Sequence, residues 1–152
     1  MYLIALSGGK TAERNNVAAQ LLEAGKGRLT LCAQADLASL RGHSREVQLV
    51  GPQAIARARL LTQSLGGLEG PDMQGRGFIV AHCLTAEEAQ VVRELDGAVW
   101  HVYSRPCSRV AIRKGDAIIT GDGGGSFRHV REPVEALSDY LLASRGQSRE
   151  VR

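Results

Sequence analysis

The sequence predicts an α/β protein of three layers, α/β/α, with a parallel sheet of roughly five strands between two layers of helices. Two observations lead to this. Short apolar segments of strand length alternate along the chain with segments whose apolar residues recur at helical spacing, and such alternation lays parallel strands side by side with helices on both faces. The chain has 152 residues, 43% apolar and 23% charged, which is enough for one continuous core. Residues 1–143 are therefore read as a single domain, and residues 144–152 as a disordered basic tail.

Each element has its own reason. Tyr2-Leu3-Ile4-Ala5-Leu6 is uncharged and reads as a buried strand, Ser7-Gly8-Gly9 as a sharp turn, and Asn15 to Ala24 as the helix that follows. Arg28 to Cys32 is a short second strand, followed by a helix from Gln34 to Leu40 and a polar turn over Arg41 to Arg45. Pro52 sits where a first helical turn tolerates proline, and the helix runs to Leu65 with Ile55, Leu60, Leu61 and Leu65 as its apolar stripe. Gly66-Gly67 stops it. Phe78 to Ala81 is a strand, and Thr85 with Glu87 and Glu88 makes an N-cap and first turn for a helix to Leu95. Ala98 to Tyr103 and Asp116 to Thr120 are further strands, Gly123-Gly124-Gly125 is a loop, and Pro133 opens a last helix to Ala143.

Composition excludes several function classes. The longest apolar runs are far too short to span a bilayer, and no basic region precedes the first apolar stretch, so a cytoplasmic protein without a membrane partner is expected. Cys32, Cys83 and Cys107 have neither the number nor the spacing of a disulfide framework or a zinc site, and are read as reduced thiols with no metal. A net charge of +3 suits an anionic ligand without naming one. Aromatics are 4% of the chain, which sets nucleic-acid binding low.

The first turn carries the chemistry. Strand, glycine turn and helix begin a P-loop, in which backbone N–H groups and a helix N-terminus cradle phosphates, a Lys reaches the outer phosphates and a hydroxyl holds Mg²⁺. Started at Gly8, the pattern G-x-x-x-x-G-K-S/T puts Glu13 on its second glycine, Arg14 on its lysine and Asn15 on its hydroxyl. Sliding the frame onto Gly9-Lys10-Thr11 drops the first glycine on Ile4, inside the strand, and leaves no loop.

The order of elements resembles the deoxynucleoside monophosphate kinases of bacteriophage type, P-loop kinases whose loop ends in G-K-D-T. Leu6 to Ala18 aligns with that family's opening, with Lys10 on its loop lysine. Leu60 to Gly66 is similar to its leucine, glutamine and Leu-Gly helix ending, Val99 to Pro106 to its strand closing in Arg-Pro, and Ile112 to Ser126 to its I-x-x-G-D-x-x-I-x-x-D-G-S segment. The resemblance covers most of residues 2–142. It implies a nucleoside-monophosphate-kinase-like fold, ATP and Mg²⁺ as cofactors, a phosphoryl transfer to a deoxynucleoside monophosphate, and a phage or prophage protein acting in the host cytoplasm.

The departures point to weakened or lost catalysis. Glu13, Arg14, Asn15 and Asn16 replace the family's glycine, lysine, Asp and Mg²⁺-binding Thr. A carboxylate at Glu13 repels phosphate and adds a Cβ where close backbone approach is needed, and the planar fork of Arg14 is no substitute for a compact ammonium. A family D-x-R signature falls on His82-Cys83-Leu84, with its later glutamate and alanine kept as Glu88 and Ala89. His82 is then either a new acid–base or ligand-contacting group or a polar residue in a vacated site. The family's lid and substrate insert are short here, with only Gly42 to Gln53 and Gly66 to Gly77 as extra loops.

The candidate phosphate-binding groups are Gly8, Gly9, Lys10, Arg14, Asn15 and Asn16, with Asp122 and Gly123 placed over the base by the resemblance or forming a plain loop. Arg14, Arg105 and His82 are the catalytic candidates, and Asp36 and Arg59 the substrate contacts. Arg109, Arg113 and Lys114 lie where a shortened lid would be. The reading from a different class is a non-enzymatic phage protein that uses the kinase fold to bind a host protein or to sequester a nucleotide.

Overall fold

The computed structural model describes residues 2–32, 51–66, 75–121 and 129–150, the last with side chains through residue 146. The elements are β1 (Tyr2–Gly8), α1 (Thr11–Ala24), β2 (Leu29–Leu31), α2 (Pro52–Gly66), β3 (Gly77–Val80), α3 (Ala86–Glu94), β4 (Ala98–Val102), β5 (Ala117–Ile119), β6 (Val130–Arg131) and α4 (Pro133–Glu150). All strands are parallel, in the order β2-β3-β1-β4-β5-β6. This is the three-layer α/β/α fold that the alternation predicts, with one strand more than the five read from the sequence. The added strand, β6, is two residues long, too short to show a period.

Strand order and handedness decide where the helices lie. From β1 to β2 the chain moves toward one edge of the sheet, and from β3 to β4 it crosses back over β1. Right-handed crossovers then put α1 and α3 on opposite faces. On one face Val17, Ala18 and Leu21 of α1 and Ala136 and Leu137 of α4 pack on Ile4, Leu6, Ile79, Trp100 and Ile119. On the other, Leu61 and Leu65 of α2 and Ala89 and Val92 of α3 pack on Leu3, Ala5, Phe78, Val80 and Val99. A strand covered on both faces reads as a continuous apolar run, which is why β1 is the clearest element in the sequence.

Tyr140 of α4 closes a gap in the ladder. The β1–β4 pairing starts at Ile4 opposite Ala98, one residue after Leu3. The Tyr140 hydroxyl bonds the Leu3 N–H and C=O at 3.4 and 3.3 Å while its ring meets Tyr2 and Trp100 edge-on. Burial pushes the Tyr140 phenol above its ordinary range.

Two boundaries and one buried stripe differ from the sequence reading. Helix α1 begins at Thr11, not Asn15, because Glu13 accepts the Lys10 N–H at 2.7 Å and so starts the helix four residues sooner. The buried stripe of α2 is Ala54, Arg57, Leu61 and Leu65, while Ile55 and Leu60 are about half exposed. Its spacing is helical as predicted, but an ion pair lets a charged residue hold the inner position. Helix α4 continues past Ala143 to Glu150. A single glycine, Gly146, costs about 1 kcal/mol relative to alanine, which is too little to end a long helix. The helix predicted over Gln34 to Leu40 lies outside the described residues.

Candidate functional site

In an open α/β sheet the ligand crevice lies at the carboxyl ends of neighbouring strands whose connections leave toward opposite faces. Here those strands are β1 and β3, followed by α1 and α3. Gly8, Gly9 and Lys10 leave β1 there, and Ala81 to Thr85 leave β3.

The turn after β1 is tight. Gly8 and Gly9 have φ of +73° and +62°, and a Cβ on Gly8 would stand 2.8 Å from the Arg105 oxygen. Both glycines are thus required by conformation, and both by space, since a Cβ on Gly9 would stand 2.8 Å from Val102 Cγ1. The Gly9 N–H donates to the Arg105 oxygen at 2.6 Å. Lys10 is the N-cap of α1 and is exposed, so only Gly9 and Lys10 separate strand from helix.

Arg14 sits one turn into α1 with its guanidinium folded back over that turn, 6% exposed. Its Nη1 donates to the oxygens of Gly8 and Gly9 at 2.8 and 2.9 Å, Nη2 to Thr11 Oγ1 at 3.3 Å and Nε to His82 Nδ1 at 3.1 Å. The β1–β3 crevice is therefore bridged by a side chain of the protein itself. Burial lowers the Arg14 pKa from its ordinary value. His82 accepts at Nδ1, so the ring is neutral with its proton on Nε2. Burial first, then the charges of Arg14 and Arg57, hold its pKa down at about 4.

A second layer supports His82 from the α3 side. Arg57 of α2 bonds both carboxylate oxygens of Glu88, at 2.9 and 3.2 Å, and the His82 carbonyl at 3.2 Å. Glu88 also accepts from Thr85 Oγ1 and the Leu84 N–H, while its own N–H donates to Thr85 Oγ1 at 3.2 Å. The N-cap predicted at Thr85 is thus present and joined to a buried ion pair. On the other flank, Glu13 Oε2 accepts from the Lys10 N–H and from Ser104 Oγ, both at 2.7 Å. The Lys10 N–H bond, then the Ser104 bond, pull its pKa below the usual carboxylate value. A negative group on the N-terminal turn of α1 is where the helix dipole favours an anion.

The predicted site residues divide accordingly. Gly8, Gly9, Lys10, Arg14, His82 and the backbone of Arg105 come together, whereas the Arg105 side chain is exposed. Asn15 is exposed, and Asn16 Nδ2 donates to the Gly121 oxygen at 3.2 Å. Arg59 is exposed on α2, two positions from Arg57 and so turned away from the crevice side that Arg57 occupies. Asp36, Asp122 and Gly123 lie outside the described residues. Sequence reasoning misses Arg57, Ser104 and the internal roles of Glu13 and Glu88. The one available signal for Arg57 is its i, i+4 spacing from Leu61 within the buried stripe.

Cys83 is buried beside this cluster and burial raises its thiol pKa strongly, so it is an inert thiol. Among the described residues no group of three or more His, Cys, Asp or Glu side chains is placed to hold a metal ion. None of the described helices is long and apolar enough to cross a membrane. The chain matches no protein-family model and no curated protein sequence.

Proposed function

We propose that this domain works by binding rather than by catalysis, as a kinase-like α/β frame whose own side chains fill the place of a bound phosphate. The observation that supports this reading best is Arg14. A phosphate cradle presents backbone N–H groups to its ligand, whereas here the Gly8 and Gly9 carbonyl oxygens face a guanidinium. The Lys10 N–H, which could serve a phosphate, is taken by Glu13. Two residues between strand and helix are also too few for a P-loop, and Asn16 is turned to Gly121 rather than to a metal position. The residues present do not fit a triphosphate with its Mg²⁺, so no transfer step is derived. What remains is a scaffold for a partner protein, with at most loose retention of a nucleotide at the crevice.

The test is direct. With ATP, Mg²⁺ and each deoxynucleoside monophosphate, the purified protein is expected to form no diphosphate above background. The same ligands are expected to leave its melting temperature unchanged at millimolar concentration, since binding to the folded state must raise it. Turnover in the usual kinase range of about 1–100 per second would overturn the proposal.

A further inference from the structure

The groups that meet the Arg14 guanidinium are all hydrogen-bond acceptors. The Gly8 and Gly9 carbonyl oxygens, Thr11 Oγ1 and His82 Nδ1 converge on it at 2.8, 2.9, 3.3 and 3.1 Å. Each is also held by a contact in which Arg14 takes no part. The two glycines are fixed by their φ of +73° and +62° and by the Gly9 N–H on the Arg105 oxygen at 2.6 Å. Thr11 opens α1, whose start is set by Glu13 on the Lys10 N–H at 2.7 Å. His82 is held by Arg57 Nη2 on its carbonyl at 3.2 Å and by the Cys83 N–H on the Leu6 oxygen at 2.8 Å. The surrounding fold therefore builds this socket independently of its occupant, and binding to a preformed site costs less ordering.

Its polarity selects the ligand. A phosphate or carboxylate would face carbonyl oxygens and a ring lone pair, which repel it. An ammonium is a compact point charge, whereas a planar guanidinium fork presents donors on several sides at once. The Glu13 carboxylate nearby favours a cation at the same place. Gly8 is the buried floor, while half-buried Gly9 and His82 and exposed Thr11 form a rim open to solvent.

We propose that the crevice is a guanidinium-binding site for an arginine side chain presented by a partner protein, with Arg14 as its internal occupant. This rests on the reading of the domain as a binding frame, and it names what the frame binds. Arg14 then makes an autoinhibitory contact. When one guanidinium replaces another, no buried acceptor is left unpaired in either state, so the exchange avoids the penalty of an unmade bond. A tethered side chain competes at an effective concentration of roughly millimolar. Free arginine is thereby held off, and an arginine on a docked surface, with further contacts around it, takes the socket.

The experiment opens the socket with Arg14→Ala and follows the melting temperature during titration with end-blocked Gly-Gly-Arg-Gly-Gly, its lysine counterpart, and inorganic phosphate. At ten times its Kd the arginine peptide is expected to raise the melting temperature by about 3–6 °C. The lysine peptide is expected to bind about tenfold more weakly, and phosphate to give no shift. Adding His82→Phe removes one acceptor and is expected to weaken the arginine peptide about tenfold. In the parent the same peptide is expected to bind at least about tenfold more weakly than in Arg14→Ala, because Arg14 competes. If Arg14→Ala does not fold alone, the arginine peptide is expected to restore the folded Trp100 fluorescence, and no recovery counts against the proposal. No saturable shift with the arginine peptide, an equal response to lysine, or equal affinity in parent and variant would overturn it, while absent phosphoryl transfer would leave the binding reading in place. Binding of free arginine to the parent below about 1 mM would assign the socket to a small guanidine and overturn the partner. A shift with phosphate in place of the arginine peptide would overturn both, since a phosphate cradle presents donors.

Discussion

Replacing Arg14 with Met tests whether its guanidinium is part of the fold or a group waiting for a ligand. Met keeps the length of the stem and removes four hydrogen bonds. Taking the donor from the buried Gly8 oxygen alone costs about 1–3 kcal/mol. The Gly9 oxygen and His82 Nδ1 are half-buried and regain water in part. Against these losses, an apolar side chain is spared the burial that already depresses the arginine pKa. The net expectation is a loss of about 2–3 kcal/mol, or a fall in melting temperature of about 4–12 °C for a domain of this size. Urea unfolding followed by fluorescence measures it cleanly, since Trp100 is the chain's one tryptophan and is buried. Arg14→Lys keeps the charge but cannot span both carbonyls and the histidine, so it is expected to fall between Met and the parent. A change within about 0.5 kcal/mol for Arg14→Met, the size typical of surface positions, would refute the reasoning.

Two further predictions concern the supporting layer. The His82 pKa falls from 6.5 in the unfolded chain to about 4 in the fold, so the folded state binds the proton less tightly. Its contribution is complete above about pH 6.5 and is lost as the pH falls toward 4. The full difference corresponds to about 3 kcal/mol, and solvent screening of a half-buried ring lowers this to roughly 1–2 kcal/mol. His82→Asn, whose amide oxygen can accept from Arg14 at any pH, is expected to flatten that part of the stability profile in urea titrations between pH 7.5 and about 4. Equal slopes in parent and variant would count against the Arg14–His82 bond. Glu88→Ala leaves Arg57 buried and unpaired and also removes acceptors for Thr85 and Leu84. A loss of about 3–5 kcal/mol is expected, and one under about 1 kcal/mol would show that water reaches the Arg57 guanidinium.

The periodic parts of the chain are legible in the sequence alone. The run Leu3 to Leu6, the Thr85 cap with Glu88 three residues on, and the proline starts at Pro52 and Pro133 are local signals, and each marks its element within a few residues. They determine the α/β class and, through alternation, a parallel sheet. Local pattern does not say how far a helix extends when no breaker is present, so the helix expected from Pro133 to Ala143 is shorter than α4. Nor does it reveal a two-residue strand whose only reason is its neighbour.

The site is a different case. The sequence by itself determined that a glycine turn follows the first strand and that a cationic residue, Arg14, comes shortly after it. It could not determine where Arg14 points, because side-chain direction depends on the residue at which the helix starts, and that start is set by the Glu13 carboxylate on the Lys10 N–H. Only the tertiary structure decided that Arg14 turns inward to Gly8, Gly9 and His82, that Arg57 is the buried arginine of α2, and that the connection after β4 is held by Val110 and Arg93. The partners in these contacts come from separate stretches of chain, and the energy that fixes them is burial with compensation. A guanidinium enters the interior only where acceptors are already in place, and those acceptors are supplied by elements that meet only once the sheet has formed.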